Sequence, residues 1–149
     1  MYGYDFIPSI NVYFYITADE FDLSEVTRKL GVMPTSTRTK DDFPPQGLAC
    51  TEWVLETGRE DCIAVSIQFE KMLQMLDGKA NVIKNVCNEY NLETGFVVAI
   101  HMMHGERPEI LLPPEVISFA ASINADIGFD LYCYEDEDES LENGMTVLS

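Results

Sequence analysis

Apolar and polar residues alternate along residues 10–17, with Val12, Phe14 and Ile16 on one side and Asn11, Tyr13 and Tyr15 on the other. A period of two in β-favouring residues predicts a strand with one buried face. The opposite face carries tyrosines and is expected to be half exposed. The period then lengthens: Leu23, Val26 and Leu30 recur at helical spacing, and Asp22 and Glu25 stand as in a capping box. Gly31 suits a left-handed stop and Pro34 forbids continuation. A cap contributes on the order of 1 kcal/mol, so the apolar stripe is expected to decide this helix.

Residues 35–40 are polar and β-branched and predict an exposed edge strand, with Ser36, Arg38 and Lys40 on one side and Thr35, Thr37 and Thr39 on the other. Pro and Gly in 41–47 predict a loop. Residues 50–57 read as the returning strand of a hairpin, with Trp53 and Leu55 on one face and Glu52, Val54 and Glu56 on the other. Residues 62–76 fit two templates. Ile63, Val65, Ile67 and Phe69 alternate, whereas Val65, Phe69, Met72, Leu73 and Leu76 follow a helix. The helical template spans more residues, and EKMLQML is rich in helix formers, so a helix is predicted. Beyond Gly78, the stripe Val82, Ile83, Val86, Cys87 and Tyr90 predicts another.

Residues 95–103 are apolar on both faces and predict a central strand. Pro113 and Pro114 open a helix with Val116, Ile117, Ala120, Ala121 and Ile123 expected inward. Residues 127–134 alternate again, with Ile127, Phe129, Leu131 and Cys133 inward and Asp130, Tyr132 and Tyr134 outward. This order predicts one α+β domain over residues 1–134: a ferredoxin-like βαββαβ core extended by an αβ unit, its sheet mainly antiparallel and its helices on one face. The second sheet face is too apolar to stay bare, so a second copy, the N-terminal segment or the C-terminal tail is expected to cover it, or a ligand to bind there.

Charge sharpens the picture. Among 149 residues, 26 acids oppose 9 bases for a formal charge of -17. That argues against nucleic acid as a partner, because binding a polyanion relies on Lys and Arg displacing its counterions. Residues 135–142 read EDEDESLE, and 135–149 are expected to form a flexible acidic tail, either solvated or drawing in a basic protein. No apolar run approaches eighteen residues, so no membrane partner is expected. The N-terminus lacks the pattern of a secretory leader, so a cytoplasmic location is expected.

The four cysteines form no C-x-x-C pair and read as small hydrophobes. His101 and His104, three apart at a strand end, point to opposite faces and are too few for a zinc site. No P-loop, G-x-G-x-x-G or G-x-S-x-G occurs, so no catalytic residue, metal or cofactor is assigned. Two groups of binding candidates remain. Arg38, Lys40 and Trp53 share one predicted hairpin and could offer a guanidinium and an indole to an anionic or planar ligand. Alternatively, Trp53 is core and the basic pair protects an edge. Asp130 lies in an apolar strand with Tyr132 beside it on the same face, as a polar anchor of a groove or simply a solvated carboxylate.

The N-terminal strand, DLSEVTRKLGVMPTSTRTK, TEWVLET with Trp53, and the terminal helix with FDLYCY together resemble the bacterial domain-of-unknown-function family numbered 4279, over residues 10–134. L-G-x-x-P-[ST] after a capped helix, the downstream Trp and the closing D-x-Y carry the resemblance. Where that family often has Gly-Asp after its basic pair, this chain has Asp41 and Asp42. The resemblance implies a compact α+β fold and no established activity. Some similar small acidic bacterial proteins sit beside polymorphic toxins as immunity proteins. The leading expectation is a non-enzymatic, cytoplasmic protein-binding module of immunity type, with an acidic surface for a basic partner. The alternatives are a small-ligand pocket near Arg38, Trp53 and Asp130, and a structural homodimer without a ligand.

Overall fold

The structure, a computed structural model, describes residues 7–42, 50–135 and 147–148. Along the chain run β1 (Ser9–Ala18), α1 (Leu23–Leu30), β2 (Ser36–Arg38), β3 (Thr51–Glu56), β4 (Glu60–Asp61), α2 (Val65–Met75), α3 (Ala80–Tyr90), β5 (Glu93–Met103), α4 (Pro114–Ser122), β6 (Asp126–Tyr134) and β7 (Val147–Leu148). Sheet order is β2-β3-β1-β5-β6-β7, with β4 paired to the start of β1. Each neighbouring pair from β2 to β5 is antiparallel, while β6 lies parallel to β5 after the α4 crossover. The fold is therefore α+β with a mostly antiparallel sheet.

The inward residues of the strands and the apolar stripes of the four described helices form one core. Its centre is aromatic. The Phe96 ring lies 5.3 Å from Phe14, 5.0 Å from Phe69 on α2 and 6.4 Å from Phe119 on α4, centroid to centroid. Trp53 meets Phe14 edge-on at 6.1 Å, and its indole N–H donates to Thr27 Oγ1 on α1 at 2.9 Å. Each helix is thus tied to the same sheet face by burial, at about 1.5–3 kcal/mol for each fully buried large side chain.

Helix α1 starts as its sequence predicts: Asp22 Oδ1 accepts the Glu25 N–H at 3.2 Å, and Gly31 closes the helix at φ 71°. The Glu25 carboxylate turns to Arg28. Residues 62–76 are helical only from Val65, because the preceding backbone is engaged elsewhere. The Cys62 N–H donates to the Pro8 carbonyl, and the Glu109 N–H to the Ile63 carbonyl. Buried Gln68 on α2 points Nε2 at Thr57 Oγ1 and the Gly58 carbonyl, 3.0 Å from each, and so holds the chain between β3 and β4.

Three expectations are corrected. Ile117 and Ala121 on α4 face solvent, because the helix turns Val116, Phe119 and Ala120, with Ile123 after it, to the core. Phe129 is exposed although it shares the inward parity of β6, since the core reaches that strand only at Ile127 and Leu131. Lys40 does not continue the edge strand but lies in a 3-10 turn, Lys40–Asp42. The expected loop over 43–47, the N-terminal segment 1–6 and the acidic run over 136–142 lie outside the described residues. Within the expected tail, Val147–Leu148 pair with Cys133 and Tyr134.

Phe96→Ala should lower stability by about 3–5 kcal/mol, whereas Phe129→Ala should cost no more than about 1 kcal/mol. Urea denaturation of the two variants checks the contrast.

Candidate functional site

Strand parity sends the alternate residues of every strand to the side opposite the helices. On β1 these are Tyr13 and Tyr15. The register sets Tyr15 opposite Val54 on β3 and Tyr13 opposite Val97 on β5. Farther along, Ala99 is level with Asp130, and His101 with Tyr132, on β6. Side chains are tall on β1 and β6, and between them Val97 and Ala99 of β5 form a low floor. The result is a groove of about 700 Å³, open to solvent, that reaches from Arg38 on β2 to Tyr132 on β6.

Gly95 is small for a local reason. The Tyr15 ring lies across it, and a Cβ there would come within 2.7 and 2.9 Å of Tyr15 Cζ and Cε2. Any larger residue would push Tyr15 off the groove wall.

Among the residues lining the groove, Glu52, Glu56 and Asp130 outnumber the guanidinium of Arg38. Asn11 Nδ2 donates to Glu56 Oε1 at 2.9 Å and fixes that carboxylate. Burial, followed by the Glu56 charge, raises the pKa of Tyr13. Burial, followed by the charges of Asp126, Glu93 and Glu52, raises that of Tyr15. Both rings therefore stay neutral phenols at physiological pH. At the end of the groove His101 stacks on Tyr132, 4.6 Å between centroids and 11° from parallel, and its Nδ1 lies 3.1 Å from the Tyr134 hydroxyl. Burial, and then the charge of Arg59, holds the His101 pKa below its ordinary value.

Of the residues singled out in the sequence, Arg38, Asp130 and Tyr132 line this one groove. Trp53 does not. It is fully buried on the helix side, because Thr37 pairs with Trp53 while Arg38 pairs with Glu52, so Arg38 and Trp53 project from opposite faces. Lys40 is also turned elsewhere, toward Asp19 at 3.3 Å and Glu20 at 3.5 Å. Glu52 and Glu56 were not singled out in the sequence, and His101 was weighed there only as a metal ligand. The signal that finds them is the parity they share with Tyr13 and Asp130, which is usable only once the register is known.

This arrangement suits the recognition of cations. Rings edged by carboxylates attract cations through both charge and ring quadrupole. Among the described residues no group of three or more His, Cys, Asp and Glu could hold a metal ion. Burial pushes the Cys87 thiol up to about 11, so it stays protonated and unreactive.

His101 should titrate below the ordinary imidazole value, as followed by NMR of its ring protons. The folded state favours the neutral ring, so the contribution of His101 to stability is full above the unfolded pKa of about 6.5 and declines as the pH falls below it. His101→Gln should flatten that part of the stability–pH curve.

A family model described as a domain of unknown function, DUF4279, matches residues 8–134. No curated protein and no solved structure matches the chain. The match runs from the residue before β1 to the last residue of β6 and includes every strand that builds the groove, so this protein belongs to the DUF4279 family.

Proposed function

We propose that this protein is a non-enzymatic binding module that takes a basic segment of a protein partner onto the sheet face opposite its helices. The observation that carries this reading is the mixture in the groove: Glu52, Glu56 and Asp130 set among Tyr13, Tyr15 and Tyr132 over a floor of small residues. The groove crosses five strands, β2 to β6, which at about 4.8 Å per spacing is about 19 Å. That span suits several side chains of an extended or folded partner better than one compact metabolite. Lysine and arginine side chains would lie between the rings with their charges near the carboxylates. The chain's charge of -17 would steer such a partner in. At its finest, this is an immunity-type role, in which the acidic face covers the positive cleft of a toxin domain. Free thiols at Cys50, Cys62, Cys87 and Cys133 suit the reducing cytoplasm as the place of action.

A small ligand is the second reading, favoured by the volume of the groove, which falls within the usual 300–1,000 Å³ of ligand sites, and by Arg38 and Asp130 both lining it.

The test compares two triple variants of equal charge by calorimetric titration with an arginine-rich peptide. Glu52→Gln, Glu56→Gln and Asp130→Asn neutralise the groove; Glu20→Gln, Asp77→Asn and Glu89→Gln neutralise exposed acids that line neither this groove nor the one between α2 and α4. The groove variant should bind at least ~10-fold more weakly than wild type and the control within ~2-fold, with affinity falling as salt rises. Equal losses in the two variants, or no binding by the wild type, would overturn the reading. So would a wild-type dimer that Tyr13→Ala converts to monomer, because the face would then belong to a second copy.

A further inference from the structure

The helix side of the molecule carries its own unexplained surface. Ile63, Ile67, Ile110, Leu111 and Ile117 are each between 48% and 64% exposed. Ile63 and Ile67 lie just before and within α2, and Ile110, Leu111 and Ile117 on the segment leading into and along α4. The Glu109 N–H donates to the Ile63 carbonyl and the Val65 N–H to the Glu109 carbonyl, so the segment before α2 lies beside the one leading to α4. Ile117 follows one turn after Pro113, whose carbonyl accepts its N–H at 3.2 Å. Between α2 and α4 lies a shallow groove of about 180 Å³, with Ile67, Leu73, Pro113 and Val116 among its walls.

The fold does not account for these aliphatics. Helix α2 packs through Val65, Phe69 and Met72, and α4 through Val116 and Ala120. Ile67 and Ile117 lie outside those buried stripes. Exposed aliphatics gathered on two adjoining segments of a small protein are characteristic of a contact surface.

We propose that this patch docks an amphipathic helix with a basic margin, supplied by a protein partner. Charge selects that occupant. The lining of the groove includes the carboxylates of Glu70 and Glu115 and no base, and exposed Glu109 precedes Ile110. A second copy would bring like charges together around the apolar contact, which repels. A helix with apolar anchors at i, i+4 and i+7 fills a groove between two helices, and lysines or arginines along its margin meet the carboxylates. The proposal does not depend on the sheet-face reading, because α2 and α4 cover the opposite side of the sheet.

The experiment uses the full chain and a fluorescent Leu/Lys peptide of idealised helical spacing, with a scrambled peptide of the same composition as control. Anisotropy titration should show the ordered peptide binding at least ~10-fold more tightly than the scrambled one, and Ile67→Ser with Ile117→Ser should remove that difference. Both positions are exposed, so the unfolding midpoint should stay near wild type. The triple variant of Glu52, Glu56 and Asp130 should retain the preference for the ordered peptide, which separates failure here from failure of the sheet-face reading. Equal binding of the two peptides would overturn the proposal, as would an undiminished preference in the isoleucine variant. A wild-type dimer that Ile117→Ser returns to monomer would overturn it too, by assigning the patch to a second copy.

Discussion

Burial of one face of a single sheet is the constraint on which this structure depends. The Phe96 ring is where that burial converges, touching the rings of Phe14 within the sheet, Phe69 on α2 and Phe119 on α4. Trp53 extends the same layer to α1 through Phe14 and its hydrogen bond to Thr27. The strands keep their alternation because every inward position answers to this one layer. A slip of one residue in β1 would exchange Phe14 for Tyr13 and expose the core.

One-sided burial leaves the opposite face to be shaped by side-chain size. Small residues on β5 and tall ones on β1 and β6 make a trough from the strands themselves. Its walls are held by the sheet itself, so the trough is formed before anything occupies it, which lowers the entropic cost of any binding there. Among the carboxylates there, Glu56 is held by Asn11. The aromatic stack of His101 and Tyr132 ends the trough with a rigid wall.

Local sequence made much of the fold legible. The helix α1 could be read from Asp22, its apolar stripe and Gly31, since capping and left-handed stops are properties of a few adjacent residues. The ambiguity over 62–76 was resolved by length of pattern, and the core confirms it: Val65, Phe69, Met72 and Leu76 are all buried. Reading failed where an apolar residue found no partner. Ile117 and Phe129 match the inward pattern of their elements, yet the layer they would join ends before it reaches them. Periodicity reports which way a side chain points and not how far the core extends.

The candidate site divides along the same line. Alternation alone placed Asp130 beside Tyr132 and set Tyr13 and Tyr15 on an outward face, because period two is a property of one strand. Whether the outward faces of different strands coincide is a property of pairing. Arg38 and Trp53 lie on neighbouring strands and were plausible partners until the register put Thr37 opposite Trp53. Asp130 and Arg38 stand at opposite ends of the groove and meet across three intervening strands, an arrangement no local pattern encodes. Burial of apolar residues acts within each segment and is written there. The register between distant segments is chosen by the total free energy of the packed layer, and so it is decided only when the chain has folded.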